Sequence, residues 1–441
     1  MKMEEMILVS TDDHVVEPPE TFTRHVPAKY LDRAPRIITL PNGEERWRFV
    51  DRNIATVGGS AVVGRSKDEL HIEPTKYSGM RKGCYDIHAR MDDMNVNGVL
   101  TSLCFPTLPG FGGELFIKHP DKALMIVLLK AYNDWHLQEW AAPYPGRMIP
   151  ISLIPLWDVG AAVEEIARVA KLGSKGICFP ENTTKFGLPS IHTDHWNAVW
   201  EAIIQHDLVM LTHIGTGGGF RFPSLDSPMD ICGATMNITL ADFMADLLYS
   251  PVLRKYPELK VAVSEGYLGW VQFFKERCDY VYDVHSSWSN QDFGKLKPSD
   301  IIRRNFMLCF TEDPIGLKSR HEIGIEVMTW ECDYPHADST WPVSPERLWK
   351  SGMKDLPEAE VHQITHENAM RWFNFDPFQS IKRSDANVGA LRALAKHVDL
   401  TPIKGGSRRP APGERRVLTV RDFVELQKQF DLAPTWEQEN A

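Results

Sequence analysis

The sequence predicts a large α/β domain built as a (β/α)8 barrel, and three observations support this fold class. Short, continuous apolar runs alternate along the chain with amphipathic helical patterns. These runs number eight, which is the number of parallel strands that closes such a barrel. The length of 441 residues, with 43% hydrophobic and 24% charged residues, is enough for a barrel core with insertions.

The eight predicted strands are short apolar segments separated by helices and loops. In chain order they lie at residues 6–10, 98–106, 148–155, 175–180, 208–215, 259–266, 305–314 and 325–336. Residues 158–173 and 194–207 carry apolar side chains at helical spacing, and Gly173 ends the first of these two helices. Because most strand segments are apolar without alternation, they predict a parallel sheet that is buried on both faces.

Three segments depart from this rhythm. Residues 36–86 contain two alternating runs around Asn42-Gly43, which predicts a β-hairpin insertion after the first strand. Residues 215–257 form a long Gly/Pro-rich loop followed by a helix. We therefore predict a barrel over residues 1–376 with these two insertions, and a C-terminal linker and helix extension over residues 377–441.

Charge and cysteine content narrow the partners and the compartment. The net charge of −10 argues against nucleic acid or an anionic membrane as the main partner. The longest apolar stretch, residues 123–129, is too short to span a bilayer, and the N-terminus has no signal-peptide pattern. The seven cysteines form no CxxC pair and are interpreted as buried free thiols. We expect a cytoplasmic protein whose partner is a small molecule.

Polar side chains follow the predicted strands at the ends that share one side of a barrel. They are Asp12, Asp13, His14 and Glu17 after the first strand, His213 after the fifth, Glu265 after the sixth, Asp313 after the seventh and Asp333 after the eighth. Carboxylates gathered in a barrel mouth repel one another and lose hydration, and a bound divalent cation removes both costs. Imidazole with carboxylate suits zinc, manganese or iron. The candidate ligands are Asp12, His14, Glu17, His213, Glu265 and Asp333.

Several of these residues are also suited to a structural role instead of metal binding. The acids near the first strand are also suited to cap a helix, and we prefer that role for Asp13 but not for Glu17. Glu265 is equally suited to bond the backbone of the Gly-rich turn that follows it. His336 either orients Asp333 or transfers a proton itself.

Two further interpretations concern residues outside this set. The spacing of Trp270, Phe273 and Phe274 predicts a buried helix face. His71 and Glu73 lie in the hairpin insertion and are interpreted as surface residues.

The motifs "DDHVVEPP", "LTHIG", "SEGYLGWVQFFKERCD", "ECDYPHADSTWP" and "ITHENAMRWF" make the chain resemble the amidohydrolase superfamily over about residues 7–375. The resemblance is strongest to the branch that contains aminocarboxymuconate-semialdehyde decarboxylase and the resorcylate-type decarboxylases. It implies a metal held by a His-x-His pair on the first strand, a histidine on the fifth and an aspartate on the eighth. His14, His213 and Asp333 match that set, and Asp12 replaces the first histidine, as an acid does in resorcylate-type decarboxylases. The family's sixth-strand acid/base histidine corresponds to Glu265, which is a departure from the pattern.

Two hypotheses of function follow from these residues. The first is a metal-dependent hydrolase or decarboxylase that uses a metal-bound water or a metal-held carboxylate, with Asp333, Glu265 and His336 as proton carriers. The alternative is a non-haem di-iron monooxygenase, because Asp12, Glu17, Glu265 and Asp333 with two histidines equal the ligand set of carboxylate di-iron proteins. Glu17 and Glu265 separate the two hypotheses, because a single metal ion leaves both spare and two metal ions need them.

The sequence gives one indication of the substrate and leaves the oligomeric state open. Apolar and aromatic residues in "GGGFRFPSL" favour an apolar or aromatic substrate. The hairpin insertion, the long loop and the C-terminal extension either cover the barrel mouth or form a homodimer interface, and both alternatives stay open.

Overall fold

The computed structural model describes residues 1–50, 52–54, 58–66, 74–219, 221–405 and 417–430, with side chains through residue 425. His71 and Glu73 lie outside the described residues. The strands are β1 (Leu8–Val15), β2 (Arg36–Thr39), β3 (Glu45–Phe49), β4 (Arg52–Asn53), β5 (Val99–Pro106), β6 (Met148–Ile149), β7 (Ile151–Ser152), β8 (Gly176–Cys178), β9 (Val209–His213), β10 (Lys260–Ser264), β11 (Phe306–Phe310) and β12 (Met328–Trp330).

The helices alternate with the barrel strands. They are α1 (Ile87–Asn97), α2 (Glu114–Lys118), α3 (Lys122–Trp135), α4 (Val159–Lys171), α5 (Asn197–Gln205), α6 (Asp230–Thr235), α7 (Asn237–Tyr249), α8 (Val252–Lys255), α9 (Val271–Ser289), α10 (Pro298–Asn305), α11 (Pro314–Lys318), α12 (Arg320–Ile323), α13 (Ser344–Ser351), α14 (Glu358–His362), α15 (Asn368–Trp372), α16 (Val388–Leu394) and α17 (Val420–Phe430).

The parallel strands form the predicted (β/α)8 barrel, which the structure confirms. Strands β1, β5 and β6 form one parallel sheet, and β7 to β12 form a second in chain order. Pro150 separates β6 from β7, which together make the third barrel strand. On the other side, the Thr11 hydroxyl donates to the Trp330 carbonyl at 3.2 Å, and the Asp333 amide donates to the Asp12 carbonyl at 2.9 Å. These bonds join β1 to the chain around the end of β12, so the first and last barrel strands lie side by side.

Strand β1 is longer than its apolar run predicts. It continues through the charged residues to Val15, and every residue from Leu8 to Val15 is buried. Its parallel pairing with β5 has an irregularity between Ser10 and Asp13. The acids and the histidine therefore lie on the strand itself, inside the barrel, rather than on a loop after it.

The helices follow the patterns read from the sequence, as α4 illustrates. The Asp158 side chain accepts a hydrogen bond from the Ala161 amide at 3.0 Å and caps the helix. Ala162, Ile166 and Val169 form its buried face. Gly173, with φ of +100°, takes the left-handed conformation that ends the helix.

The predicted buried face of α9 is only partly right. Trp270 and Phe274 are half-buried against the core, but Phe273 is 71% exposed. The spacing of apolar residues shows that they share a helix face, and it does not show whether that face meets the barrel or solvent.

The hairpin insertion has the predicted local structure. Strands β2 and β3 pair antiparallel, with Arg36 opposite Arg48, and Gly43 takes a φ of +81° in the turn. Strand β4 adds to β3 as a third strand. Farther along, the Tyr77 hydroxyl donates to the Glu17 carbonyl at 2.6 Å and ties the insertion to the end of β1.

The long loop after β9 meets the C-terminal extension. The amides of Met229 and Val420 donate to Leu418 and Ser227 carbonyls, both at 2.9 Å, so residues 417–421 pair with residues 225–229. The loop leads into α6 and α7, and residues 230–249 are the described segment with the length and composition to cross a membrane. In the structure, Leu240, Phe243, Met244, Leu247 and Leu248 of this segment pack into the core.

Part of the C-terminal segment packs on the barrel. Helix α16, which sequence patterns did not indicate, begins at an Asn387 cap, and its Val388 amide donates to the Met6 carbonyl at 2.9 Å. Leu391 joins a small buried cluster with Ile7 and Leu100 at the start of β1 and β5. Residues 406–416, most of the predicted linker, lie outside the described residues.

Candidate metal centre

Four strand-end residues converge inside the barrel mouth. Asp12 and His14 come from β1, His213 ends β9 and Asp333 follows β12. His14 Nε2 lies 3.5 Å from Asp12 Oδ1 and 3.3 Å from Asp333 Oδ1. His213 Nε2 lies 3.3 Å from Asp12 Oδ2 and 3.4 Å from an oxygen of Glu265, which follows β10.

These atoms fit a divalent metal ion. Both oxygens of Asp12 and the Nε2 atoms of His14 and His213 are buried without a hydrogen-bond partner. Burial of unpaired polar atoms is costly, and a shared cation satisfies all of them at once. Ligands about 2.0–2.1 Å from a tetrahedral zinc lie about 3.4 Å apart, which matches the Asp12–His14, Asp12–His213 and His14–Asp333 separations. Asp12, His14, His213 and Asp333 are therefore the candidate ligands.

The protonation preferences of the site agree with metal binding. Burial lowers the pKa of His14, and it lowers the pKa of His213 to about 4, so both imidazoles are neutral near pH 7. Burial, with neighbouring acids, raises the pKa of Asp12 and of Glu265. Burial also opposes ionisation of Asp333, but His336 and His14 outweigh it and lower the pKa of this carboxyl. Neutral imidazoles beside crowded acids are the arrangement that a cation stabilises.

Local structure fixes the direction of these side chains. His213 Nδ1 lies 2.7 Å from the Ile214 carbonyl, and its N–H donates to that oxygen. This bond leaves Nε2 as the acceptor that faces the site. Asp333 and Glu265 take φ values of +57° and +59°, a strained conformation for residues with a side chain. Strain at two of the site's acids is typical of functional positions.

Glu17 is not brought to this cluster, in contrast to the ligand role predicted for it. Its carboxylate accepts hydrogen bonds from the amides of Thr107 and Leu108 at 3.0 and 2.8 Å. The chain turns after Val15, so Glu17 faces the loop after β5 instead of the barrel axis. Burial raises the pKa of Glu17 to about 7. Without Glu17, the ligand set that motivated the di-iron alternative is incomplete.

Asp13 has a different role from the helix cap that we preferred. Its carboxylate accepts hydrogen bonds from the Ser102 hydroxyl and from the Tyr334 amide, the latter at 2.9 Å. Asp13 therefore links β1 to β5 and to the chain after β12.

Glu265 faces the cluster. Its predicted alternative role, to bond the backbone of the Gly-rich turn after β10, is performed by Asp313. One Asp313 oxygen accepts from the amides of Leu268 and Gly269 at 2.6 and 2.7 Å. The other caps α11 through the Gly316 amide at 2.7 Å. Because Asp313 holds the turn after β10, the Glu265 carboxylate is free to contact His213.

Glu331 is a buried acid that the sequence analysis missed. It accepts a hydrogen bond from the Glu265 amide at 3.2 Å and one from the Cys309 thiol. Burial raises the pKa of Glu331 to about 8. It lies directly after β12 and two residues before Asp333. An acid that interrupts the apolar run of the eighth predicted strand is the signal that would have found it.

His336 stands between the cluster and solvent. Its Nδ1 lies 2.9 Å from Asp333 Oδ1, and its ring stacks on His14 with centroids 3.8 Å apart. The side chain is 14% exposed, whereas those of His14 and Asp333 are buried. His336 is thus placed to exchange protons between the site and the mouth.

A cavity of about 610 Å³ opens above the cluster. Its lining includes Ser60, Thr107, Phe111, Lys118, Phe186, His213, Met236, Glu265, Asp333, His336 and Asp338. The Phe111 ring lies 4.5 Å from His14 and 4.3 Å from His213 between centroids. The apolar wall thus comes from Phe111, Phe186 and Met236, and the long loop contributes backbone at Gly218 and Gly219. The glycine-rich loop after β5 is the sequence signal that could have found Phe111.

Comparison with known proteins identifies the family. A family model described as Amidohydrolase matches residues 70–375, which is more than half of the chain. The chain therefore belongs to the amidohydrolase family, as its motifs indicated.

Solved structures share the fold at low sequence identity. An amidohydrolase from Mycobacterium avium subsp. paratuberculosis K-10 matches with a TM-score of 0.63 and 19% identity, covering 83% of this chain and 99% of that one. A 2,6-dihydroxybenzoate decarboxylase from Rhizobium matches with a TM-score of 0.54 and 18% identity, covering 84% of this chain and 99% of that one. A dihydroxybenzoic acid decarboxylase from Polaromonas sp. JS666 matches with a TM-score of 0.52 and 19% identity, covering 69% of this chain and 90% of that one. Its structure contains manganese and the inhibitor 2-nitroresorcinol. Decarboxylases of the predicted branch are thus among the proteins with this fold, and these matches give the monooxygenase alternative no support.

Proposed function

We propose that this protein is a metal-dependent decarboxylase of small aromatic carboxylates, within the broader class of metal-dependent hydrolases and carboxy-lyases. The observation that carries the proposal is the set of unpaired ligand atoms on Asp12, His14 and His213, which lies beneath a partly apolar cavity. Catalytic pockets combine an apolar wall with a few convergent polar groups in this way.

The proposed metal is manganese, zinc or iron, because neutral imidazole with carboxylate suits all three. A divalent ion here would supply a fixed positive charge that binds the carboxylate and a neighbouring hydroxyl of the substrate. Manganese is the favoured ion for this site, because a decarboxylase with the same fold contains it.

The chain's own residues would orient the substrate and deliver the proton. Phe111 packs beside His14 and His213 and offers a face on which an aromatic ring stacks. Glu265 lines the cavity and, as a carboxylic acid, would give its proton to the ring carbon that bears the carboxylate. The bond from that carbon to the carboxylate then breaks, its electron pair returns to the ring, and carbon dioxide leaves. Glu265 would recover a proton through the mouth.

Hydrolysis is the second candidate, and the His336–Asp333 contact favours it. A partly exposed imidazole 2.9 Å from a buried carboxylate is suited to accept a proton from water as the water attacks a carbonyl. The substrate would then be an ester, lactone or amide.

The test compares metal-free and metal-restored protein on a panel of hydroxybenzoates and a panel of esters, lactones and amides. We expect metal-dependent release of carbon dioxide that falls at least about 100-fold in Asp12→Asn. Asp355→Asn, at an exposed aspartate, is the matched control and should keep the wild-type rate. Turnover of the second panel alone would establish hydrolysis instead, and metal-independent turnover would contradict both candidates.

We also propose a reducing, cytoplasmic location. The seven cysteines are all free and buried, which fits a compartment that keeps thiols reduced.

A further inference from the structure

Glu331 joins three neighbouring barrel strands beneath the candidate metal centre. It follows β12 directly and is completely buried. One of its oxygens accepts hydrogen bonds from the Glu265 amide, at 3.2 Å, and from the Cys309 thiol. The other oxygen lies 3.4 Å from the Thr311 hydroxyl. Glu331 therefore links the chain after β10 and the end of β11 to β12.

The backbone of Glu265 is strained at this contact. Glu265 has a φ of +59°, in the left-handed region that a residue with a side chain rarely adopts. Such a conformation persists only where the surrounding structure holds it in place. The hydrogen bond from the Glu265 amide to the buried Glu331 carboxyl is a contact that holds it.

Two buried acids hold the turn after β10, at opposite ends. Asp313 accepts hydrogen bonds from two amides at the far end of the turn, at 2.6 and 2.7 Å. Glu331 accepts from the amide of Glu265, the first residue of the turn. The Glu265 carboxyl in turn lies 3.4 Å from His213 Nε2 and lines the cavity. Glu331 thus acts on the residue of this turn that brings a carboxyl group to the site.

We propose that Glu331 is a positioning residue, which fixes the backbone of Glu265 and thereby holds the Glu265 carboxyl beside His213 and the cavity. The inference rests on the proposed function, in which Glu265 delivers the proton to the substrate. Glu331 itself does not touch the substrate. What this role requires is an acceptor oxygen at the right place, not a negative charge. Without that oxygen the Glu265 amide is buried unpaired, and the strained backbone relaxes.

Two conservative variants separate the place of this oxygen from the charge of the acid. Glu331→Gln removes the charge but keeps an oxygen at the same reach from the backbone, and its NH2 group can donate to the Thr311 hydroxyl. Glu331→Asp keeps the charge but draws the oxygen back from the Glu265 amide by one methylene group. A positioning role therefore predicts that the glutamine variant behaves like the wild type and that the aspartate variant does not.

The first test measures kcat, KM and metal content of protein restored with Mn²⁺. We expect Glu331→Gln to keep kcat within about threefold of the wild type, and Glu331→Asp to lose about tenfold or more in kcat with little change in KM, because a displaced proton donor impairs the chemical step. Glu164→Asp, at an exposed residue of α4, is the matched control and should keep the wild-type kcat.

Metal content is measured because Asp12, Cys309 and Glu331 offer ligand atoms within 4.8 Å of one another. We expect the wild-type content in both Glu331 variants, since the four candidate ligands are unchanged. Loss of metal together with activity would show that Glu331 acts on the metal centre, and it would overturn the proposal. An equal loss of kcat in the two variants, or no loss in either, would overturn it as well.

The second test needs no substrate and compares crystal structures of the wild type and the two variants, all in the same metal state. We expect Glu331→Gln to keep the wild-type backbone at Glu265 and its contact with His213, and Glu331→Asp to change both. A Glu265 side chain that stays in place in Glu331→Asp would overturn the proposal. If these structural differences were present but no substrate were turned over, the proposed function would fail and the positioning role would stand.

Discussion

The Nδ1 atom of His336 lies 2.9 Å from Oδ1 of Asp333, which itself lies 3.3 Å from His14. This contact joins a candidate metal ligand, buried in the barrel, to a side chain that reaches the mouth. It gives the site a route for protons that does not pass through the protein core.

Replacement of His336 tests this route. We expect His336→Asn to lower kcat by about 100-fold or more, because general acid–base groups contribute factors of that size. Metal content should stay near the wild-type value, since Asp12, His14, His213 and Asp333 remain. Measurement of kcat and elemental analysis of the same samples test both expectations. His397→Asn, at an exposed histidine, is the control. An unchanged kcat would remove His336 from the mechanism.

Glu265 was predicted both as a ligand and as a proton carrier, and one variant distinguishes the roles. We expect Glu265→Gln to bind metal but to lose turnover by about 100-fold or more, because the amide keeps the shape and has no acidic proton. Metal content and kcat are measured together on protein restored with Mn²⁺. Loss of the metal along with the activity would show that Glu265 is a ligand.

Glu17 provides the test against a second metal ion. Both of its oxygens accept backbone hydrogen bonds after β5. We expect Glu17→Gln to keep full metal content and to lose about 1–3 kcal/mol of unfolding free energy, because one buried acceptor becomes a donor facing a donor. Glu20→Gln, at an exposed residue of the same segment, should change neither quantity. If metal content fell by half, Glu17 would be a ligand after all.

Buried His136 predicts acid sensitivity away from the site. Burial lowers the pKa of His136 to about 4, below the usual value of about 6.5, so the unfolded chain binds the proton first as pH falls. The stability that the neutral ring contributes is present above pH 6.5 and is lost as pH falls toward 4. We expect a loss of about 2 kcal/mol between pH 7 and pH 5 that His136→Phe lacks.

Denaturant unfolding of metal-free protein at the two pH values measures this difference. The same substitution at exposed His397 should leave the loss in place. Equal pH dependence of the wild type and His136→Phe would contradict the assignment.

The sequence was sufficient to predict the barrel and to bring five of the six predicted ligand residues to one mouth. Parallel strands bring their ends together whatever the intervening loops do, so Asp12, His14, His213 and Asp333 could be placed in one mouth from strand order alone. The apolar run predicted too short a β1, because the strand continues through charged residues that are nevertheless buried.

The residues that were missed or misplaced depend on the path of the chain in space. Glu17 lies two residues beyond β1, where the chain has already turned toward the loop after β5. Glu331 sits within an apolar run, and its contact with the Glu265 amide joins two strands that sequence patterns treat separately. Periodicity grouped Phe273 with Trp270 and Phe274 but gave no sign of which side of α9 meets the barrel.

The most direct test of the metal centre is elemental analysis of protein purified without added metal, beside the same analysis of Asp12→Ala. We expect about one divalent ion per wild-type chain and little in the variant, because Asp12 contacts both ligand histidines. Two irons per chain, no metal even after restoration, or full metal content in Asp12→Ala would contradict a single ion held by Asp12, His14, His213 and Asp333.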